Sequence, residues 1–127
     1  MSRHTKKDLE QIKGAIRTAF RRSDFRQEVL RAAVVSHSDT KRPKVKTWCK
    51  CEKCGKPEAK SYMQVDHIKP VVPIHKRAED MTVQELADGI YCAKSNLQVL
   101  CKECHYTKSG SERKLRAEHR KANKSGK

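Results

Sequence analysis

Apolar residues near the N-terminus recur at helical spacing. Leu9, Ile12, Ile16, Ala19 and Phe20 fall on one face, and Thr5-Lys6-Lys7-Asp8 before them resembles a capping box with Asp in the usual Glu position. Ser23 or Asp24 caps a second helix, whose stripe is Phe25, Val29, Leu30, Ala33 and Val34. Arg17, Arg21, Arg22, Arg26 and Arg31 fill much of the remaining surface of this pair. Periodicity then stops: residues 36–47 are polar and basic with one proline and predict a linker, after which Trp48 packs against the start of the next segment. Tyr62 to Ile68 suits a strand, ended by Pro70 and Pro73. Thr82-Val83-Gln84-Glu85 is a capping box for a short helix stopping near Gly89. Leu97 to Leu100 is a second short strand. From His105 to Lys121 a helix is expected, weakened by Gly110 and carrying Leu115 as its one large apolar residue, with Asn123 to Lys127 disordered.

Composition changes this picture in one respect. Only 35% of the 127 residues are apolar and 5% aromatic, low for a globular chain, so a bound metal is a natural extra source of stability. The net charge of +15 favours a polyanion, usually nucleic acid, over a merely solvated surface. An anionic membrane surface is the rival partner, but no apolar stretch approaches the length of a span and the N-terminus lacks the apolar core of a signal peptide. An intracellular, cytoplasmic location is therefore expected, with reduced thiols serving as metal ligands rather than disulfides. Charge is also unevenly placed: net +8 over residues 1–48, +1 over 49–101 and +6 over 102–127. The expected organisation is a basic helical arm (1–35), a linker (36–48), a chemical core (49–110) and a basic C-terminal helix and tail (111–127).

All six cysteines lie in the core segment. Cys51-x-x-Cys54 and Cys101-x-x-Cys104 are two knuckles of equal spacing, each able to bring two sulfurs to one zinc ion. Four thiolates close a tetrahedral site, so this zinc is expected to be structural. The 46 residues between the knuckles leave room for other chemistry. Cys49 offers an alternative first ligand; Cys51 with Cys54 is preferred because the same turn recurs in the second knuckle. Cys92 reads as a buried free thiol. A redox-active CxxC would normally occur once.

Asp66-His67, Asn96 and His105 lie between and beside the knuckles. Hydrolysis of a phosphodiester needs a base, a cation to offset developing charge, and a hold on the backbone. His67 has the right ordinary pKa for a base, while Asp66 and His105 supply oxygen and nitrogen for one divalent ion such as Mg2+, Mn2+ or Ni2+, or a second zinc. One local difficulty stands: neighbours on a strand point to opposite faces, so a bulge or strand end must bring Asp66 and His67 to one place. Each residue also has a plainer reading. His67 could be structural, Asp66 and Asn96 turn residues, and His105 the fourth ligand of a three-cysteine, one-histidine zinc site.

Taken in order, Cys51-x-x-Cys54, Val65-Asp66-His67-Ile68-x-Pro70 and Asn96-Leu97-Gln98-x-Leu100-Cys101-x-x-Cys104-His105-x-x-Lys108-Ser109 resemble the zinc-stapled HNH endonuclease pattern over residues 49–110, under half of the chain. The resemblance implies an α+β fold with a small ββα-metal (HNH, His-Me finger) core, a four-cysteine zinc site and an N-terminal helical arm. It implies a DNA hydrolase leaving 5′-phosphate ends. His67 would be its general base, Asp66 and His105 its catalytic-ion ligands, and Asn96 would steady the loop and the base. Lys108 matches a basic position that could hold a phosphate. Such proteins are frequent in phages, which would place this one in a bacterial host cell. The chain departs from the tidiest pattern at Cys49 and in the insert from Pro70 to Ser95, which carries His75, Lys76 and Arg77. His75 reads as an exposed loop residue rather than a phosphate or metal contact; His4, His37 and His119 read as surface residues.

Arg17, Arg21, Arg22, Arg113 and Lys108 are the expected contacts to double-stranded DNA, with low sequence preference because few aromatics accompany them. Two other readings share the zinc and the charge: a non-catalytic zinc module that binds DNA, and a partner-dependent subunit of a phage DNA-processing machine. A homodimer or a phage packaging partner would be compatible with the sequence.

Overall fold

The computed structural model describes residues 5–125, with side chains through Asn123. His4, expected at the surface, lies outside the described residues. The fold is α+β, with four helices and two small antiparallel sheets.

Helix α1 (Lys6–Arg21) begins at the expected capping box: Asp8 N–H donates to Thr5 Oγ1 at 3.1 Å and Thr5 N–H to Asp8 Oδ2 at 2.9 Å. Its buried stripe is narrower than its periodicity predicts. Phe20 is buried and Ile16 packs beside it, but Ile12 and Ala19 are exposed. Helix α2 (Asp24–Ala32) is capped by Ser23, whose Oγ accepts from Arg26 N–H at 3.1 Å. It is shorter than predicted. Val34 does not extend the α2 stripe: Val34–Val35 form β1 and pair antiparallel with Cys49 and Trp48 of β2 (Trp48–Lys50). Two β-branched residues beside a three-residue partner are better placed in a ladder than in a final helical turn. β3 (Pro57–Ala59) completes this sheet in the order β1-β2-β3.

Residues 36–47 form no helix or strand, as their composition predicts, but they are held. Arg42 pairs with Glu58 at 2.6 Å and lies over the rings of Trp48 and Tyr62, 5.2 and 5.5 Å from their centroids. Trp48 itself is buried.

The second sheet is a pair, β4 (Gln64–His67) and β5 (Leu97–Leu100), antiparallel with Asp66 opposite Gln98 and His67 opposite Leu97. β5 has its predicted bounds. β4 is shorter than expected: at its start Tyr62 ends a 3-10 turn, and at its end Ile68 keeps one in-register bond, its N–H donating to Asn96 O at 2.8 Å, where Asn96 ends the 3-10 turn that precedes β5. Helix α3 (Val83–Ile90) follows its capping box at Thr82 and Glu85. Helix α4 (Lys102–Ser125) follows β5 at once and packs against both strands of the pair. It starts three residues before the expected point, runs through Gly110, and continues through Asn123 to Ser125, where disorder was expected. Gly126 and Lys127 of that expected tail lie outside the described residues.

Two apolar clusters hold these layers together. One joins Leu30, Cys49, Cys51, Met63, Val99 and Leu100, with Cys101 and Cys104 packed on it. The other joins Phe20, Leu86, Ile90 and Leu97. Val29 and Val65 touch both, so β4 turns Val65 and His67 toward the apolar clusters and presents Gln64 and Asp66 on the other face.

Candidate metal centre and the site beside it

The knuckles are set by local turns. After β2 the chain reverses through Glu52 and Lys53 to Cys54, where Gly55 adopts φ +76° and its N–H donates to Cys51 O at 2.9 Å; a side chain at this left-handed position would be strained. The second knuckle is the junction of β5 with the first turn of α4, where His105 N–H donates to Cys101 O at 3.0 Å. Cys51, Cys54, Cys101 and Cys104 bring their sulfurs within 4.8 Å of one another. A tetrahedron with metal–sulfur bonds of about 2.3 Å has edges of about 3.8 Å, and Cys54 Sγ lies 3.8 Å from Cys101 Sγ. Soft donors at this spacing fit a metal ion such as zinc.

The thiols' acidities point the same way. Burial raises the Cys51 thiol, but hydrogen bonds from the backbone at Cys54, Cys101 and Lys53 and from the Cys54 thiol outweigh it and bring it down to about 6. Cys104 is pushed up to about 12 by the neighbouring Cys101 thiol, by burial and by Cys51 and Cys54. One thiolate is favoured by its backbone; further negative charges repel unless a cation lies among them. Cys49 stands apart from this group. It is wholly buried, its Sγ faces Leu30 O at 3.5 Å, and burial raises its pKa. Cys92, expected to be buried, is half-buried and receives Asn96 Nδ2 at 3.7 Å. None of the six cysteines forms a disulfide.

His105 follows Cys104 directly and turns toward β4, placing its Nε2 3.7 Å from Asp66 Oδ1. Asp66 Oδ2 accepts from Gln98 Nε2 at 3.0 Å and lies 3.0 Å from Lys108 Nζ. That ammonium also donates to His67 O at 2.9 Å and pairs with Glu112. Burial alone would lower the Lys108 pKa, but the carboxylates of Glu112 and Asp66 outweigh it and hold the side chain charged. The mixed oxygen and nitrogen pair of Asp66 and His105 suits a borderline or hard divalent ion, and its separation lies between those of neighbouring and opposite ligands in an octahedron of about 2.1 Å bonds.

His67 is the last residue of β4, and its ring lies on the other face from the Asp66 carboxylate. It packs 5.5 Å from the Phe20 ring, and Nε2 lies 2.8 Å from Ile90 O. A carbonyl oxygen only accepts, so Nε2 carries a hydrogen, and in the neutral ring the lone pair is on Nδ1. The structure therefore gathers Asp66, His105, Lys108, Gln98 and Glu112, while His67 adjoins that group through its backbone carbonyl.

No protein-family model, curated protein or solved structure matches the chain.

Asn96 Oδ1 accepts from Lys69 N–H at 2.9 Å and its Nδ2 donates to Lys69 O at 3.3 Å, fixing the chain as it leaves β4. Arg113 lines an open groove together with Gln64, Lys102, His105 and Tyr106. Arg17 and Arg21 on α1 and Arg22 at its C-cap are exposed, outside that groove. His75 is exposed, as expected, and so is His37, stacked edge-on against Trp48. His119 is at the surface as expected, half-buried, 3.1 Å from Asn123 Nδ2, and shares a cleft with His75. Sequence reasoning missed Gln98, Glu112 and the Ile90 carbonyl. Pairing β4 with β5 in register identifies Gln98 as Asp66's cross-strand neighbour, and helical spacing places Glu112 one turn beyond Lys108.

Proposed function

We propose that this protein is a metal-dependent DNA endonuclease of the HNH kind, with zinc held by Cys51, Cys54, Cys101 and Cys104. The observation that carries the reading is the approach of Asp66 Oδ1 and His105 Nε2 to 3.7 Å in the angle between an antiparallel strand pair and the following helix, directly beside the four-cysteine centre.

In this reading Asp66 and His105 hold one divalent ion, which when bound offsets charge on the scissile phosphate and leaving oxygen. His67 is the general base. Its Nε2–H is tied to Ile90 O, so Nδ1 is the nitrogen that takes a proton from water. Asn96 keeps the strand exit, and with it His67, in place through Lys69. Arg113 and Lys108 add positive charge on the α4 side, and Arg17, Arg21 and Arg22 track duplex DNA at a distance from the cut. The products are nicked or cut DNA with 5′-phosphate ends.

A non-catalytic zinc module that binds DNA is the second reading, and two observations favour it: Asp66 already has a cationic partner in Lys108, and the His67 ring faces Phe20 and Ile90 rather than the Asp66 carboxylate. Cleavage of supercoiled plasmid by wild type and His67→Ala, in EDTA and with Mg2+, Mn2+ or Ni2+ restored, separates the two. The nuclease reading expects metal-dependent nicking that His67→Ala lowers by about 10²–10⁴-fold while zinc, fold and DNA binding persist. Tight DNA binding without cutting by either protein, with any of these metals, would give the function to the binding module.

A further inference from the structure

His105, Lys108 and Glu112 follow one another at intervals of three and four residues along α4, so they share the helix face that meets the β4–β5 pair. The Lys108 ammonium has three N–H donors, and three acceptors surround it: Asp66 Oδ2 at 3.0 Å, His67 O at 2.9 Å and Glu112 Oε1. The pair is well shielded, with the side chains of Lys108 and Asp66 only 18% and 12% exposed. One cation thus touches a carboxylate proposed to bind metal, the backbone of the proposed base, and a second carboxylate one turn further along the helix. A divalent ion on Asp66 and His105 would stand close to this ammonium in a site partly shut off from water, where like charges repel strongly.

We infer that Lys108 is a tethered counter-ion of Asp66 that an incoming divalent ion must displace, and that Glu112 is the anchor that receives it. The inference rests on the nuclease reading, because it takes Asp66 and His105 as the ion's ligands. Lys108 and Glu112 are positioning residues here. The ammonium neutralises Asp66 when no ion is bound, keeping the carboxylate and the His67 carbonyl in place. When an ion binds, the ammonium keeps its bond to Glu112 and gives up Asp66. The arrangement sets a threshold: the ion must be concentrated enough to outcompete a cation built into the chain. Glu112 lowers that threshold by giving the displaced charge a partner.

Direct measurement of Mn2+ binding tests this without relying on cleavage. Mn2+ is a hard ion and the weakest binder of its series, so it leaves zinc on its thiolates. Zinc-loaded wild type, Asp66→Asn, Lys108→Met, Glu112→Gln and Lys108→Met/Glu112→Gln are titrated, with free Mn2+ followed by electron paramagnetic resonance and broadening of the His105 ring signals by NMR. Lys108→Gln, which keeps a donor for His67 O, is a second neutral variant should Lys108→Met fold poorly. Binding that depends on Asp66 should tighten by about tenfold in the neutral variants. It should loosen about threefold or more in Glu112→Gln. In the Lys108→Met background the effect of Glu112→Gln should shrink below about twofold, since Glu112 acts through Lys108. Asp66-dependent binding that is unchanged or weaker without Lys108 overturns the inference and leaves the nuclease reading standing. An equal effect of Glu112→Gln in both backgrounds overturns the part assigned to Glu112. Absence of Asp66-dependent binding in wild type and in both neutral variants removes the nuclease reading and the inference with it.

Discussion

The junction of β5 with α4 serves two clusters of side chains that could hardly be built more differently. Cys101 and Cys104 turn one way, toward two sulfurs from the β2–β3 turn, and complete a set of four like donors. His105, the next residue, turns the other way and meets one carboxylate from β4. The first cluster is chemically uniform: four sulfurs that could hold one metal ion among them. The second is mixed and short of ligands, has a lysine in contact with it, and opens on a groove lined by Tyr106 and Arg113. His105 follows Cys104 directly, so an ion held by the four sulfurs would also fix where His105 stands.

Removing the ion from the four-cysteine centre is the strongest way to break this contrast. Zinc binding to small thiolate sites carries about 10–16 kcal/mol, as much as the whole stability of a typical domain at about 5–15 kcal/mol. A strong chelator, or Cys101→Ser, should therefore abolish cooperative thermal unfolding and both sites together, as seen by circular dichroism. If the protein is the proposed nuclease, Asp66→Asn should have the opposite selectivity: zinc content and the melting transition persist, while metal-dependent plasmid nicking falls by about 10²-fold or more. Loss of zinc in that variant would show that the two clusters are not separable. A smaller change is expected from Asn96→Ala, which removes both side-chain bonds to the Lys69 backbone. About 1–2 kcal/mol of stability should be lost in urea unfolding, with nicking lowered more than zinc content.

The smallest effects should appear at α3, away from both clusters. Thr82→Ala removes the cap and should cost about 1 kcal/mol with no change in bound metal. Its partner Glu85 is held down to about 2, from an ordinary 4.5, first by the Lys76 ammonium and then by the Thr82 backbone and hydroxyl. Because the folded-state value is the lower one, this contribution is complete above about pH 4.5 and is lost as pH falls toward 2. In Glu85→Gln the α3 amides should lose that part of their acid sensitivity in exchange measurements.

What the sequence reveals follows the same division. The four-cysteine centre was legible because each knuckle is a local turn whose spacing alone defines it. The capping boxes at Thr5 and Thr82 and the strand Leu97–Leu100 were legible for the same reason. Val34 was misplaced because a two-residue strand has no period of its own and is specified only by its partners Trp48 and Cys49. Ser125 is helical although the polar tail has little apolar patterning to predict it. The open site was legible only as a list of residues. That Asp66 faces Lys108 and Gln98 while the His67 ring faces Phe20 and Ile90 depends on strand register and on the packing of α1, α3 and α4, none of which is a property of neighbouring residues in the chain.

The two knuckles lie 46 residues apart in sequence. The stretch between them carries both strands of the β4–β5 pair, all of α3, and Asp66, His67 and Asn96. An ion gripping both knuckles turns that stretch into a ring. Closing a loop becomes more costly only slowly as its length grows, so this clasp can shut early, before any strand has found its partner. β4 and β5 then search for their register inside a tethered circle rather than along an open chain, and non-local strand pairing of this sort is ordinarily a slow step. An ion held on the four sulfurs would in this way govern how quickly Asp66, His67 and Asn96 first come together with His105.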